Sequence, residues 1–458
     1  MADRPDVLFV ILDSARRDRV SLYGHDRPTT PTLDALAEEA TTFENAYTPT
    51  PWTLPSHCSM FTGKFPSEHG VTNGFADRRP ALPASTETLA ERLSERGYRT
   101  AGFSNNPWVG KLSGLDRGFE EFVEWDLEIG RESGAGIHSR RDRAYSRAHS
   151  LLAQAARQPV FLLKRPFFTD SLVTRAREWV ETTADDPQPT FTFLNVMEAH
   201  SPYFPPDEAF EELGLTTPGP IEPRLLNTRL LAYVLGKADL AGDDRDRVLE
   251  YYDAALRYQD AKLAELLDTY RDLGLLEDTL VVICADHGKT LGDFPRDGEP
   301  SHYLRDLNTN VPMVVRTPGQ RGGERVDDPV ELRDLFGLIA EPGADVSSLA
   351  REHALTEDHI PHTGTTKEEV DRWRVISGRD HRLARSEDGE QYLFRRGEST
   401  VDERTIPSPE RTEPAVLSAL SEALDDRLAD LTETDDHGDT DEAIGGSTEA
   451  QLRDLGYL

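Results

Sequence analysis

The chain has little cysteine, little lysine and no long apolar segment. Cys58 and Cys284 are the only two cysteines among 458 residues, which excludes a disulfide framework. The second lies in an apolar run, where a small buried thiol is expected. The first apolar run, residues 7–12, is far too short for a signal peptide or a membrane span, and no later run reaches membrane length. These absences predict a protein without a transmembrane segment in a reducing cytoplasm.

Basic charge is scarce in comparison with acidic charge. Asp and Glu number 84 against 51 Lys and Arg, of which only seven are lysines, and the formal net charge is −33. A strongly negative surface makes nucleic acid an unexpected partner. Because the carboxylates are spread along the whole chain, and salt screens their mutual repulsion, the composition favours a protein of a high-salt cell. The alternative is an ordinary acidic protein.

Buried strands alternate with amphipathic helices along the first two thirds of the chain. A length of 458 residues is enough for one large domain and a smaller one. Short apolar runs predict strands covered on both faces at residues 7–12, 98–103, 190–196 and 279–285. Helical spacing predicts helices at residues 32–40, 83–96, 172–183 and 247–273. The alternation predicts an α/β fold with a mostly parallel central sheet and helices on both faces.

The pattern changes after about residue 329. Residues 372–377 and 390–395 predict strands of a small antiparallel sheet. Residues 400–446 are acidic and weakly periodic, which predicts a partly flexible tail. We therefore expect a main domain of residues 1–330 and a small C-terminal subdomain of residues 331–458.

Polar residues directly follow three of the predicted strands. They are Asp13, His200, and Asp286 with His287. Ligands bind beyond the carboxyl ends of the strands in open parallel sheets, and carboxylate and imidazole groups hold divalent cations such as zinc or manganese. We therefore predict a metal site at these loop ends. Each residue alone has an ordinary alternative: Asp13 could cap a helix, and His200 could be a satisfied histidine in a proline-rich loop.

A candidate nucleophile lies in the segment PWTLPSHCSMFTG, residues 51–63. Pro55 suits the first turn of a helix, and Thr53 lies just before it. Unpaired N–H groups and the helix dipole stabilise an alkoxide or a bound phosphate at that end, and a metal ion lowers the pKa of a hydroxyl further. These effects predict that Thr53 is a nucleophile, although a plain helix cap is the simpler reading. Lys289 we expect to be a solvated side chain.

Several short motifs together resemble the sulfatase and alkaline-phosphatase superfamily. They are Thr53-x-Pro-Ser with Thr-Gly at residues 62–63, Arg-Gly-Tyr-Arg-Thr at residues 96–100, and Asp-His-Gly at residues 286–288. The resemblance runs from about residue 5 to residue 317. It implies an alkaline-phosphatase-like catalytic domain within residues 1–330.

The resemblance also implies roles by position. Asp13, Thr53, Asp286 and His287 match the metal ligands, and Thr53 is at the same time the matching nucleophile. Two further histidines match catalytic positions, His200 near the substrate oxyanion and His302 at a substrate or leaving-group contact; His57 is a candidate substrate-binding residue.

The departures from the sulfatase pattern shift the expected chemistry. Sulfatases proper carry a cysteine or serine at the nucleophile position for conversion to formylglycine, and threonine cannot form that aldehyde. Cys58 lies five residues too late, His57 stands where the family has an arginine, and Ser14 stands where it has a second aspartate. The set of Thr, two Asp and His is similar to that of phosphodiesterases and of phosphoethanolamine or glycerophosphate transferases.

The resemblance therefore implies a metal-dependent hydrolase or transferase that acts on phosphate or sulfate esters of a small molecule, a glycan or a lipid headgroup. Zinc or manganese is the expected ion, with calcium or magnesium as alternatives. Two other functions stay open: a true sulfuric ester hydrolase that works without formylglycine, and a non-catalytic family member that binds an anionic headgroup or glycan.

Overall fold

The computed structural model describes residues 4–72, 79–124, 168–234, 236–293, 304–359, 372–397, 400, 402–434 and 439–440. The strands within these ranges are β1 (Asp6–Leu12), β2 (Thr41–Tyr47), β3 (Arg79–Pro80), β4 (Arg99–Ser104), β5 (Glu121–Glu124), β6 (Thr190–Val196), β7 (Thr279–Cys284), β8 (Asn310–Arg316), β9 (Glu324–Val326), β10 (Val330–Glu331), β11 (Ala354–Asp358), β12 (Trp373–Ser377), β13 (His381–Ser386), β14 (Gln391–Arg395), β15 (Arg404–Thr405) and β16 (Asp439–Thr440). The α-helices are α1 (Pro31–Ala37), α2 (Thr53–Thr62), α3 (Pro66–His69), α4 (Leu89–Glu95), α5 (Phe168–Thr183), α6 (Asp207–Glu212), α7 (Glu222–Val234), α8 (Gly242–Asp272), α9 (Asp306–Thr309), α10 (Leu335–Ala340), α11 (Pro409–Thr412) and α12 (Pro414–Ala429).

The central sheet has β1 in its middle. The strand order is β10-β2-β8-β7-β1-β6-β4-β5, with β9 also paired to β2. β8 runs antiparallel to both of its neighbours, β2 and β7, and the other pairs in the sheet are parallel. β1 pairs with β6 on one side and β7 on the other, so the carboxyl ends of these three strands share one edge. This arrangement confirms the predicted α/β class with its mostly parallel sheet.

Helices cover the sheet in two groups. The long helix α8 packs against α1, α5, α6 and α7, whereas α2, α4 and α10 pack against one another. Residues 7–12 of β1 are almost completely inaccessible, which requires cover on both faces of the strand. Every helix that the structure describes is too short or too polar to cross a lipid bilayer.

One predicted helix, residues 83–96, is shorter than its pattern indicates. It begins only after Thr88, whose hydroxyl accepts a hydrogen bond from the Glu91 N–H, while the Glu91 carboxylate accepts one from the Thr88 N–H. This reciprocal capping box fixes the first turn of α4. The apolar residue Leu82 belongs to the preceding segment, where its N–H donates to the Ser113 carbonyl.

A second sheet of five antiparallel strands, β11-β12-β13-β14-β15, confirms the small C-terminal sheet. Within the acidic, weakly periodic residues 400–446, residues 414–429 form helix α12, and the partly flexible tail stays a prediction. Leu420 and Leu424, one turn apart, are buried in a cluster with apolar side chains of this sheet. Val416, Leu417, Ala423 and Leu428 of the same helix, at helical spacing, also pack against this cluster.

Buried ion pairs join α12 to the central sheet. Arg427 donates to both carboxylate oxygens of the fully buried Glu331, at 2.7 and 3.0 Å, and Arg333 and Arg351 contact the same carboxylate. Burial alone would raise the pKa of Glu331, but the three guanidinium groups outweigh it and lower that pKa. The apolar core of the central sheet includes residues as far along the chain as Leu349, beyond the predicted boundary. The domain division at residue 330 stays a prediction.

Candidate active site

Two loop ends of the central sheet bring three predicted metal ligands together. Asp13 follows β1, and Asp286 and His287 follow the adjacent strand β7. One ligand atom from each side chain lies within 4.8 Å of the others, and no other group of three or more His, Cys, Asp or Glu residues comes so close in the described part of the chain. Both carboxylates are completely buried, and His287 is 9% exposed. The structure therefore brings together three of the four predicted ligands, and metal binding by them stays a prediction.

The carboxylate of Asp286 is only half satisfied by the protein. Its Oδ1 accepts hydrogen bonds from the backbone N–H groups of Ser14 and His287, both at 2.9 Å. Its Oδ2 is buried without a hydrogen-bond partner among the described residues, 3.5 Å from Nε2 of His287 and 3.7 Å from Nδ1 of His57. A buried acceptor without a partner is costly. A divalent cation beside Asp286 Oδ2 would remove that cost, so the residues present fit such an ion.

Neutral side chains orient the other carboxylate. Oδ2 of Asp13 accepts from the amide groups of Asn106 at 2.7 Å and Asn195 at 3.4 Å, and its Oδ1 accepts from the Ser14 hydroxyl at 3.0 Å. The sequence reasoning missed both asparagines. Asn195 carried a signal, because it is an amide residue next to the end of the buried strand β6. Asn106 lies just beyond β4, whose place next to β6 only the structure reveals.

Thr53 is the first residue of α2, with Trp52 as the capping residue, so it lies one position later than predicted. Its Oγ1 is 3.1 Å from Nε2 of His287. Nδ1 of His287 lies 2.6 Å from the Gly288 carbonyl, which can only accept, so Nδ1 carries the proton and Nε2 offers a lone pair to the Thr53 hydroxyl. The Thr53 hydroxyl therefore contacts one member of the group formed by Asp13, Asp286 and His287.

Backbone contacts hold the Asp-His-Gly turn in place. A Cβ atom on Gly288 would lie 2.0 Å from the Leu307 carbonyl oxygen, so only glycine fits this approach to α9. The Gly288 N–H donates to the Asn308 carbonyl at 2.8 Å. From the other side, the Ser56 hydroxyl in α2 donates to the Asp286 carbonyl at 2.8 Å. The helix α2 and the Asp-His-Gly turn are thus joined directly.

His57 lies beneath the site. It is completely buried, with Nδ1 2.8 Å from the Thr53 carbonyl and its ring edge-on to Phe193. Its Nε2 has no hydrogen-bond partner among the described residues. This burial argues against the predicted contact with substrate, and it favours a supporting position under Thr53 and Asp286.

The loop after β6 approaches the loop after β7. His200 is 7% exposed, and its Nδ1 lies 2.7 Å from the Ser201 carbonyl. The Lys289 ammonium donates to the Ser201 hydroxyl at 2.8 Å. Lys289 is therefore half-buried between the loops that carry His200 and His287, and the expectation of a solvated side chain is wrong. His302, the other predicted catalytic histidine, lies outside the described residues.

Comparison of the sequence with known proteins gives a consistent result. A family model described as Sulfatase matches residues 5–341. The chain is 27% identical over 421 residues to an ulvan-active sulfatase of Formosa agariphila, covering 85% of this chain and 75% of that protein. It is 24% identical over 374 residues to a choline-sulfatase of Rhizobium meliloti, covering 74% of this chain and 69% of that protein.

The fold also matches a solved structure. The phosphonate monoester hydrolase of Agrobacterium radiobacter superposes with a TM-score of 0.66, at 18% identity, over 93% of this chain and 96% of that one. At this identity the likeness concerns the fold alone. It agrees with the mostly parallel sheet and the separate antiparallel sheet described above.

Proposed function

Since the chain belongs to the sulfatase family, we propose that it is a metal-dependent hydrolase or transferase of sulfate, phosphonate or phosphate esters with Thr53 as its nucleophile. The observation that carries the proposal is the 3.1 Å contact between the Thr53 hydroxyl and His287 Nε2, at the edge of the group formed by Asp13, Asp286 and His287. An isolated threonine hydroxyl is a weak nucleophile, and an adjacent imidazole or a bound metal ion activates such a hydroxyl.

The cation would be held by the two carboxylates, the imidazole Nε2 and the threonine oxygen. A set that mixes oxygen donors with one imidazole favours zinc or manganese over calcium or magnesium, which prefer oxygen alone. A bound divalent ion would lower the pKa of the Thr53 hydroxyl and stabilise negative charge on the ester oxygens.

The chain's own residues would supply the remaining chemistry. The N-terminus of α2 directs its positive dipole end towards a bound anion. The Thr53 hydroxyl gives its proton to solvent water, and its Oγ1 forms the new bond to sulfur or phosphorus as the bond to the alcohol oxygen breaks. His200, when protonated on Nε2, donates a proton to the departing alcohol. Water or an acceptor alcohol then attacks the sulfur or phosphorus and loses a proton, the bond to Thr53 Oγ1 breaks, and Thr53 regains its proton.

The charge of the site supports a singly charged ester. Asp13 and Asp286 together balance one divalent cation, and Lys289 carries a positive charge on the same loop as Asp286, where its ammonium donates to the Ser201 hydroxyl. Sulfate monoesters, phosphonate monoesters and phosphodiesters carry one negative charge, whereas phosphate monoesters carry two near neutral pH. We therefore propose that the singly charged esters are the preferred substrate class.

A panel of p-nitrophenyl esters tests this function. The sulfate, the phenylphosphonate, the phosphodiester and the phosphate monoester are assayed in parallel with zinc, manganese or calcium. Because the net charge of −33 favours a high-salt setting, the assays are run in dilute and in concentrated KCl. We expect kcat/KM for at least one singly charged ester to exceed that for the phosphate monoester by about tenfold or more. Turnover of none of the esters with any ion would contradict the proposal.

Replacing Lys289 by methionine is expected to raise KM for singly charged esters by about tenfold, the size of one charge-assisted hydrogen bond. Methionine is also unbranched and only one atom shorter, and it removes the charge together with the hydrogen-bond donors. Lys237→Met is the matched control, since Lys237 is exposed. Steady-state kinetics of both variants provide the measurement. Equal KM values for wild type and Lys289→Met would remove Lys289 from the substrate site.

A further inference from the structure

The turn that follows β1 has an unusual backbone conformation. Ser14 has a φ of +61°, and among the described residues only one other residue besides glycine, Ser408, has a positive φ. Residues with a side chain avoid this left-handed region, and they remain in it only where the surrounding structure holds them. The conformation at Ser14 therefore needs a physical cause in its contacts.

In this conformation Ser14 donates a hydrogen bond to each of the two carboxylates of the site. The Ser14 N–H donates to Oδ1 of Asp286, and the Ser14 hydroxyl donates to Oδ1 of Asp13. Both hydrogen bonds are fully buried. A change in the φ of Ser14 would turn its N–H away from Asp286 and move the side chain relative to Asp13. The strained turn thus sets the distance between the two metal-ligand carboxylates.

A tyrosine of the long helix α8 forms hydrogen bonds to the backbone of this turn. The Tyr252 hydroxyl donates to the Ser14 carbonyl at 2.8 Å and accepts from the Arg16 N–H at 2.7 Å. Tyr252 is completely buried, with its ring edge-on to Tyr203. Burial raises the pKa of the Tyr252 hydroxyl well above its ordinary value, so the group stays protonated and keeps its donor role.

An ion pair reinforces the same turn. The Arg16 guanidinium, 1% exposed, contacts both carboxylate oxygens of Asp293 at 2.9 and 3.2 Å and also pairs with Asp18. Asp293 belongs to the segment that follows His287, where its carboxylate also accepts the Leu291 N–H. This ion pair therefore holds the turn after β1 to the loop after β7.

We propose that the Tyr252 hydroxyl is a positioning group for the cation site, which it serves by holding Ser14 in the conformation that fixes Asp13 and Asp286. The inference rests on the metal site of the proposed function. Tyr252 does not touch the ligand atoms in this arrangement, and it acts through the backbone of Ser14. Its removal should therefore change metal affinity without removing any ligand.

Tyr252→Phe tests the inference, because it removes one oxygen atom and leaves the ring in place. We expect the dissociation constants for zinc and manganese to rise by about ten- to hundredfold, as for partners that orient metal ligands. Calorimetric titration of the metal-depleted full chain gives the constants. Tyr270→Phe is the matched control, a buried tyrosine of the same helix about five turns further along. Its metal affinity should equal that of the wild type.

A double-mutant cycle separates positioning from a general loss of structure. Ser14→Gly removes the hydroxyl donor and the backbone strain together, and it should weaken metal binding on its own. If Tyr252 acts through Ser14, adding Tyr252→Phe to Ser14→Gly should change the dissociation constant by less than about threefold. Thermal unfolding of the metal-depleted variants identifies any that fail to fold, and Ser14→Gly leaves α8 untouched.

Three outcomes are decisive. Weaker binding in Tyr252→Phe, normal binding in Tyr270→Phe and a small added effect in the double variant support the inference. Equal affinity of wild type and Tyr252→Phe, or full additivity in the cycle, overturns it and leaves the proposed function intact. A wild-type chain that binds neither zinc nor manganese overturns the inference and the metal dependence of the proposed function together.

Discussion

Replacing Thr53 by alanine should lower kcat by about three orders of magnitude or more on every ester that the wild type accepts, as for removal of a nucleophile. The alanine variant lacks the oxygen that contacts His287, but Asp13, Asp286 and His287 remain. Its affinity for zinc or manganese should therefore fall much less than its turnover. Steady-state kinetics and calorimetric titration on the same preparation measure the two effects.

Two further variants sharpen this experiment. Thr53→Ser keeps the hydroxyl, so it should retain activity within about tenfold of wild type. Thr62→Ala makes the same change at the other end of α2, where the hydroxyl donates to the Cys58 carbonyl and accepts from the Lys64 N–H, and it should leave kcat nearly unchanged. The intact mass of wild type, quenched during turnover, should show a group added at Thr53. Wild-type turnover by Thr53→Ala would mean that water or another group attacks the ester directly.

The sequence was sufficient to predict that Asp13, Asp286 and His287 lie together, because all three come just after strongly apolar strands. Asp13 and Asp286 directly follow such runs, and parallel strands place their carboxyl ends at one edge. The pairing of β1 with β7 brings ligand atoms of the two carboxylates within 4.8 Å, and neither run alone encodes that pairing. The motifs around Thr53 were needed to place the nucleophile beside them.

The sequence also failed to identify residues whose contacts join segments far apart in the chain, because packing sets those contacts. Tyr252 lies in the middle of a long amphipathic helix, where its apolar neighbours predict only a core position. Lys289 seemed solvated, because its hydrogen bond to Ser201 joins two loops 88 residues apart in the chain. Burial of His57 depends on α2 packing against β6, which no local pattern reveals.

Replacing Asp286 by asparagine should abolish measurable binding of zinc or manganese and lower kcat by about a thousandfold or more. Oδ1 of Asp286 accepts two backbone N–H groups, so the asparagine oxygen must occupy that position. The amide NH₂ then takes the place of Oδ2 and faces the cation site with a donor, which cannot bind a metal. The substitution also removes one of the two negative charges of the predicted ligands.

The same substitution should have the opposite effect on the metal-depleted protein. Wild type then carries a buried Asp286 Oδ2 without a partner among the described residues, a cost of about 1–3 kcal/mol. Asparagine removes that charge, so the metal-depleted variant should unfold at a temperature equal to or above that of the metal-depleted wild type. Addition of zinc should raise the unfolding temperature of the wild type, by mass action, and leave that of Asp286→Asn unchanged.

Asp278→Asn is the control, an exposed change at the opposite edge of the sheet, and it should behave as wild type in both measurements. An Asp286→Asn variant that still gains stability from zinc would place the cation elsewhere, because no other arrangement of Asp13 and His287 compensates for a donor aimed at the ion.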